Sequence, residues 1–327
     1  MGEYAFELRL CAHLESAGDA IVSRQLGGAV RAPDRRVLDV VVVETGPRFD
    51  ERARLTDAAI PRRLLESPIG PGSFRDWRRI LGEGMAAERA IQRGIEIGVL
   101  EVEYRRGREL VRAVGRYPED WFDRIVSIEN KPHLDEPGAL YDQLQFDVSL
   151  GLVDAVVLVT QSHVTRAHRN RLPDEVGVWR FDPAGGTLDV LVGATPLEPT
   201  RRGIEIAERQ VGRTDIELIE PSSKRAARRH LAERAYGKGW RTFQLPPCAN
   251  VDPEGGPAPG MPMCAYHGRL VDPVSACGPS CRGFRASAPP TVDLASVRAA
   301  NSPWVHDPPD RRRRQARLDG FSTDQVS

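Results

Sequence analysis

The run Val37-Leu38-Asp39-Val40-Val41-Val42-Val43 constrains this chain more than any other stretch. Branched apolar residues on both faces describe a central strand buried between layers. A carboxylate inside such a strand is costly unless a metal ion or a counter-charge compensates it. A second stretch, Ile125-Val126-Ser127-Ile128-Glu129-Asn130-Lys131, reads as another strand. Period-two alternation sends Glu129 and Lys131 to the same side. One strand therefore offers an acid, and the other an acid and an amine. That combination suits metal-assisted hydrolysis of a phosphodiester.

The flanking segments add to this order. Residues 6–15 read as a helix carrying Glu7 and ending near Gly18, and residues 20–25 as a short strand. After the Glu-x-Lys strand, residues 141–147 read as a helix carrying Gln143, and residues 153–160 as a further strand. Helix-Glu, strand-Asp, strand-Glu-x-Lys and helix-Gln, in that sequence, resemble the PD-(D/E)XK or restriction-endonuclease-like nucleases, nearest to Holliday-junction-resolvase and RecB-like members. The resemblance implies an α/β fold whose core is a central mixed sheet flanked by helices, formed by residues 1–50 and 119–195. It also implies roles: Glu7 as the helix-borne acid, Asp39 and Glu129 as ligands of Mg²⁺ or Mn²⁺, Lys131 as the catalytic lysine, and Gln143 as a positioning group. Two departures stand out. Leu38 occupies the place where a proline often precedes the acid, and about ninety residues separate Asp39 from Glu129 where simple members have a short hairpin. Taken whole, the chain also resembles an uncharacterised haloarchaeal family, which supplies no mechanism.

The intervening residues 51–118 read as an inserted module. Residues 74–81 and 85–97 have helical apolar spacing, with Gly98 as a C-cap. Residues 99–114 read as a hairpin with the basic turn Arg105-Arg106-Gly107-Arg108. Helices followed by a basic-tipped hairpin resemble a winged helix-turn-helix, with Arg105, Arg106 and Arg108 as phosphate contacts.

Residues 215–285 combine a basic helix with a cysteine-rich segment. Residues 221–240 carry Lys224, Arg225, Arg228 and Arg229, a candidate clamp on a DNA backbone, with Ser222 or Ser223 as the cap. Cys248, Cys264, Cys277 and Cys281 follow with fifteen, twelve and three residues between them, among prolines and glycines that cannot build an ordinary core. A cross-linking metal would supply the order, either tetrahedral Zn²⁺ or an iron–sulfur (4Fe–4S) cluster. RecB-like nucleases combine one early cysteine with three late ones, so a set of Cys11, Cys264, Cys277 and Cys281 is the alternative. Cys11 sits among Leu8, Leu10 and Leu14, however, and reads as a core thiol. His267 could replace one ligand.

The Pro/Arg-rich tail, residues 286–327, carries Gln315-Ala316-Arg317-Leu318-Asp319-Gly320-Phe321-Ser322. This is similar to the peptide by which clients bind the sliding clamp PCNA. One helical turn sets Leu318 and Phe321 on the same side, while Gln315 reaches a polar pocket. Ser322 stands where such peptides usually have a second aromatic, which weakens the expected affinity.

Composition bounds the rest. The 327 residues carry 46 basic and 46 acidic side chains, so any nucleic-acid surface must be local. No apolar run approaches the ~20 residues of a bilayer span, and no secretory signal is visible. With an odd count of five cysteines, the expected location is the cytoplasm. The expectation is a metal-dependent DNA nuclease of repair or recombination. The alternative is a non-catalytic DNA-binding protein or a clamp-tethered adaptor.

Overall fold

A computed structural model of the chain describes residues 2–135 and 138–308. The chain opens with α1 (Glu3–Ser16), β1 (Ala20–Gly27) and β2 (Val37–Thr45). A second region follows: α2 (Phe49–Ala53), α3 (Arg62–Leu65), β3 (Arg75–Asp76), α4 (Arg78–Leu81), α5 (Met85–Glu96), β4 (Leu100–Arg105) and β5 (Arg108–Ala113). The path then returns through β6 (Phe122–Asn130), α6 (Leu140–Leu150), β7 (Ala155–Thr160), α7 (Arg166–Arg169), β8 (Gly177–Asp182) and β9 (Thr187–Val192). Next come β10 (Gly203–Gln210), β11 (Arg213–Ile219) and the long α8 (Pro221–Lys238). Short strands β12 (Val251–Asp252), β13 (Met263–Cys264) and β14 (Arg269–Leu270) precede α9 (Pro273–Ala276) and α10 (Leu294–Asn301).

Two units result. One comprises the described residues of 1–44 and 124–303, the other residues 45–123 with 304–308. In the first, six strands form a mixed sheet in the order β1-β2-β6-β7-β8-β9. β1 pairs antiparallel with β2, β6 runs parallel to β7, β7 parallel to β8, and β9 closes the edge antiparallel. The apolar run of β2 thus lies inside the sheet between β1 and β6, as its branched residues require. The core gathers Phe6, Leu8 and Cys11 of α1 with Val40, Val126, Ile128 and Val157 of the sheet. Trp240, Met261 and Leu270 join that same core, so the segment after α8 packs as part of this unit. Among the described residues no helix is long and apolar enough to cross a membrane.

The other unit has its own core, built from Ile60, Leu64, Trp77, Ile91, Leu100 and Val111. Its three strands take the order β3-β5-β4. Part of the segment expected as a helix over 74–81 is strand instead: Arg75 pairs with Val111 and Asp76 with Leu110, and only residues 78–81 turn helical. Burial of Trp77 and the offered edge of β5 outweigh the local helical spacing. The β4–β5 hairpin turns through Arg106 and Gly107 at φ 50° and 74°, between the paired Arg105 and Arg108. Two consecutive left-handed residues make the two-residue turn whose twist suits adjoining strands.

Candidate metal-binding carboxylate site

Adjacent strands bring the two sequence-distant acids together. Asp39 sits in the third position of β2 and Glu129 is the penultimate residue of β6. Their carboxyl groups are near enough for the charge of Asp39 to act on Glu129. Asp39 Oδ2 also accepts from the Asn130 backbone N–H and from Asn130 Nδ2, both at 3.0 Å. The same Asn130 amide donates to Glu7 Oε2 at 2.9 Å, which ties the acid of α1 to the pair. Glu7 is further held by Arg24 Nε and by Gln25 Nε2, the latter at 3.1 Å.

A counter-charge is already present. Arg36 is 4% exposed, and its Nη2 lies 2.6 Å from Glu129 Oε2. It also grips Asp147 of α6 through two parallel bonds of 2.9 and 2.7 Å. Asp39, Glu129 and Asp147 thus face a single guanidinium, leaving two negative charges in excess when all are ionised. Burial pushes the Glu129 carboxyl up to about 8, and the Asp39 charge adds to that while Arg36 opposes it. Asp39 is raised as well, chiefly by burial, against the lowering effect of the Asn130 N–H. Two like charges this close cannot both ionise in a dry site without a proton or a cation between them.

Further observations suit a cation. Asn130 Oδ1 is buried with no hydrogen-bond partner, an acceptor left over beside the acids. Gln25 adopts φ 54° within β1, at the position opposite Asp39 in the register set by Arg24↔Val40 and Leu26↔Leu38. A left-handed non-glycine residue inside a strand is strained and persists only where its surroundings hold it. Among the described residues no three of His, Cys, Asp or Glu converge on one point as metal ligands. For Mg²⁺ this is no obstacle, because the ion keeps several waters and binds through one or two carboxylates.

The remaining sequence candidates are placed as follows. Lys131 continues from β6, its N–H donating to Val159 O at 2.9 Å, and its Nζ lies 3.9 Å from Glu3 Oε2. The Glu3 charge also acts on Asp39, so Lys131 and Asp39 share Glu3 as a neighbour. Gln143 is half-buried on α6 and makes no side-chain hydrogen bond among the described residues. Asp147, one turn further along the same face, is the α6 residue that reaches the acids. Arg36, Asn130, Asp147 and Glu3 were not singled out by sequence reasoning. An arginine three residues before Asp39 was the one available hint.

The basic candidates separate into two groups. On α8, Lys224 is 1% exposed and its Nζ donates to Arg201 O, while Arg228 bonds Leu152 O and Asp154 Oδ2. Arg229 is half-buried and Arg225 is exposed. The expected DNA clamp is therefore mostly a packed helix lying on β1, with Pro221 at its first turn and Glu220, not a serine, as N-cap. On the hairpin, Arg105, Arg106 and Arg108 are all exposed, and Arg105 pairs with Glu103.

Cys248, Cys264, Cys277 and Cys281 lie in one locality. The Cys277 thiol is raised by burial and then by Cys264, Cys248 and Cys281, and Cys281 Sγ lies 3.5 Å from His267 Nε2. Cys11 is fully buried in α1, within the main core. Gln315, Leu318 and Phe321 lie outside the described residues.

The chain belongs to DUF5787, a family of unknown function, whose sequence pattern matches residues 21–286. That span holds Asp39, Glu129, Lys131 and the four late cysteines, and it leaves out α1 and the tail. No curated protein and no solved structure matches the chain.

Proposed function

We propose that this chain is a metal-dependent nuclease that hydrolyses phosphodiester bonds in DNA. The observation that carries the reading is that neighbouring strands bury Asp39 and Glu129 beside Asp147, with more negative charge than Arg36 can offset. Asp39 and Glu129 would hold Mg²⁺ or Mn²⁺, which supplies charge at the attacked phosphate. Asn130 fixes the Asp39 carboxylate and links it to Glu7. Lys131, the residue after β6, would orient water or meet charge developing on the phosphate. The order of α3, β3, α4, α5, β4 and β5, with β3 pairing β5, supports a winged-helix reading of residues 51–118. Its exposed hairpin arginines would touch phosphates. Clamp binding by Gln315, Leu318 and Phe321 stays part of the proposal on sequence alone.

A non-catalytic DNA-binding protein is the second reading. It is favoured by the arginines already seated on Glu129 and Glu7. Incubation with plasmid and short duplex DNA separates the two. Cleavage should appear with Mg²⁺ or Mn²⁺ and stop when a chelator is added; binding without any cleavage in either metal would overturn the nuclease reading.

The cysteine group extends the proposal, with Cys248, Cys264, Cys277 and Cys281 gathering a structural Zn²⁺ or iron–sulfur cluster. Metal analysis of the purified chain is expected to give either about one zinc or a visible iron–sulfur absorption. The variant Cys264→Ser/Cys277→Ser should lose that metal and unfold at lower temperature. A metal-free wild-type chain that melts at the same temperature as the variant would remove the site.

A further inference from the structure

We infer that an exposed arginine cluster on α7, Arg166 and Arg169, binds the phosphate backbone of the nucleic acid alongside the acid pair. The inference rests on the proposed nuclease function and names a contact surface that the sequence analysis did not.

Topology places the cluster. β6 and β7 run parallel, with Glu129 opposite Leu158 and Asn130 opposite Val159, so their carboxyl ends lie on one edge of the sheet. In sheets of this kind, ligands bind outside the carboxyl ends of the strands. Lys131 leaves the end of β6, and residues 161–176 leave the end of β7. The two exits are joined: Pro132 O accepts from Thr160 Oγ1 at 3.2 Å, Gln161 N at 3.3 Å and Ser162 Oγ at 3.1 Å. Four residues beyond Ser162 begins α7, so its arginines hang from a segment fastened to the neighbour of Lys131. Arg171, just past α7, lies over the ring of Tyr141 at 6.0 Å, which brings this segment to the start of α6.

Charge selects the ligand. Many exposed or half-buried arginines here are spent on nearby acids, among them Arg48 on Glu51, Arg62 on Glu66, Arg112 on Glu101 and Arg180 on Asp189. Arg166 and Arg169 are exposed and make no ion pair among the described residues. They line a cleft with Asn170 and one acid, Asp174, over an apolar floor that includes Val178 and Val192. Two unpaired guanidiniums three residues apart on one helical turn present forks that match phosphate oxygens. A phosphodiester chain supplies such oxygens at regular spacing, and it would run from this cleft toward Lys131.

The test uses the full chain, a short fluorescent DNA duplex and a chelator, so that binding is read without cleavage. Anisotropy titrations over a range of salt are expected to show Arg166→Ala/Arg169→Ala weakened by at least about tenfold near 0.1 M salt, with a log–log salt slope shallower by about two. Arg166→Lys/Arg169→Lys, which keeps both charges, should recover most of the slope. Arg202→Ala/Arg213→Ala, at paired surface positions, should match the wild type. Unchanged affinity and slope in the alanine pair overturn the inference while leaving the nuclease reading intact, since Mg²⁺-dependent cleavage is scored separately. A wild-type chain that neither binds nor cleaves the duplex overturns both.

Discussion

Asp39→Asn and Lys131→Ala are each expected to lower Mg²⁺-dependent DNA cleavage by at least about a hundredfold while leaving duplex binding within about twofold of wild type. Asparagine at 39 keeps the shape and still accepts from the Asn130 N–H, so the β2–β6 connection survives. What disappears is one negative charge from a pair that has a surplus. The variant should be at least as stable as the wild type without metal, because the charge that raises the Glu129 carboxyl is gone. Lys131 is half-buried and, among the described residues, its ammonium pairs with Glu3 alone, at 3.9 Å, so its truncation disturbs little packing. Cleavage and thermal unfolding, measured on the same preparations, decide the matter. Activity that persists in both variants, or that falls in step with folding, would make the acid pair a structural feature.

Arg36→Met is expected to destabilise the fold by about 3–5 kcal/mol at pH 8, the loss typical when one partner of a buried ion pair is removed. The variant strands Asp147 and Glu129 without their guanidinium. The pH dependence has a definite sign. Even in the wild type, Glu129 titrates near 8 when folded against an ordinary value of 4.5. Between those values the unfolded chain holds fewer protons, so this group subtracts stability as pH rises through the window. In Arg36→Met the effect deepens, since Asp147 is also raised by burial and loses its opposing charge. The deficit should shrink towards pH 5, where both acids can take up protons. Denaturant unfolding at pH 5 and pH 8 measures it, and a deficit equal at both values would mean that Arg36 acts through packing alone.

The legible part of this site was carried by local pattern. Val37–Thr45 and Phe122–Asn130 announce themselves because branched residues have few other uses, and an acid among them is conspicuous. The partners were hidden for the opposite reason. Arg36 meets Glu129 across 93 residues and Asp147 across 111, and neither a lone arginine nor an acid on a helix differs in sequence from thousands at surfaces. The same ambiguity misdirected the reading of α8. Lys224 and Arg228 look like a cationic face, yet their ends find the Arg201 and Leu152 carbonyls, and the helix is buried around them. Arg166 and Arg169 were passed over because a four-residue helix has no periodicity to notice. The strand at Arg75–Asp76 exists only because β5 offers an edge to it, a partner that no local propensity encodes.

The length of chain between the two acids has a consequence for how they come to meet. The region that begins at Thr45 fastens its own beginning to its end: Gly46 N donates to Trp121 O at 2.8 Å, and Arg48 N to Asp120 O at 3.3 Å. Once that region has folded, the entropy of closing some seventy residues has already been spent within it. To the growing sheet it then behaves as a tight turn. β2 and β6 can then meet as neighbours in the sheet, and the interruption leaves the bond from the Asn130 N–H to Asp39 undisturbed.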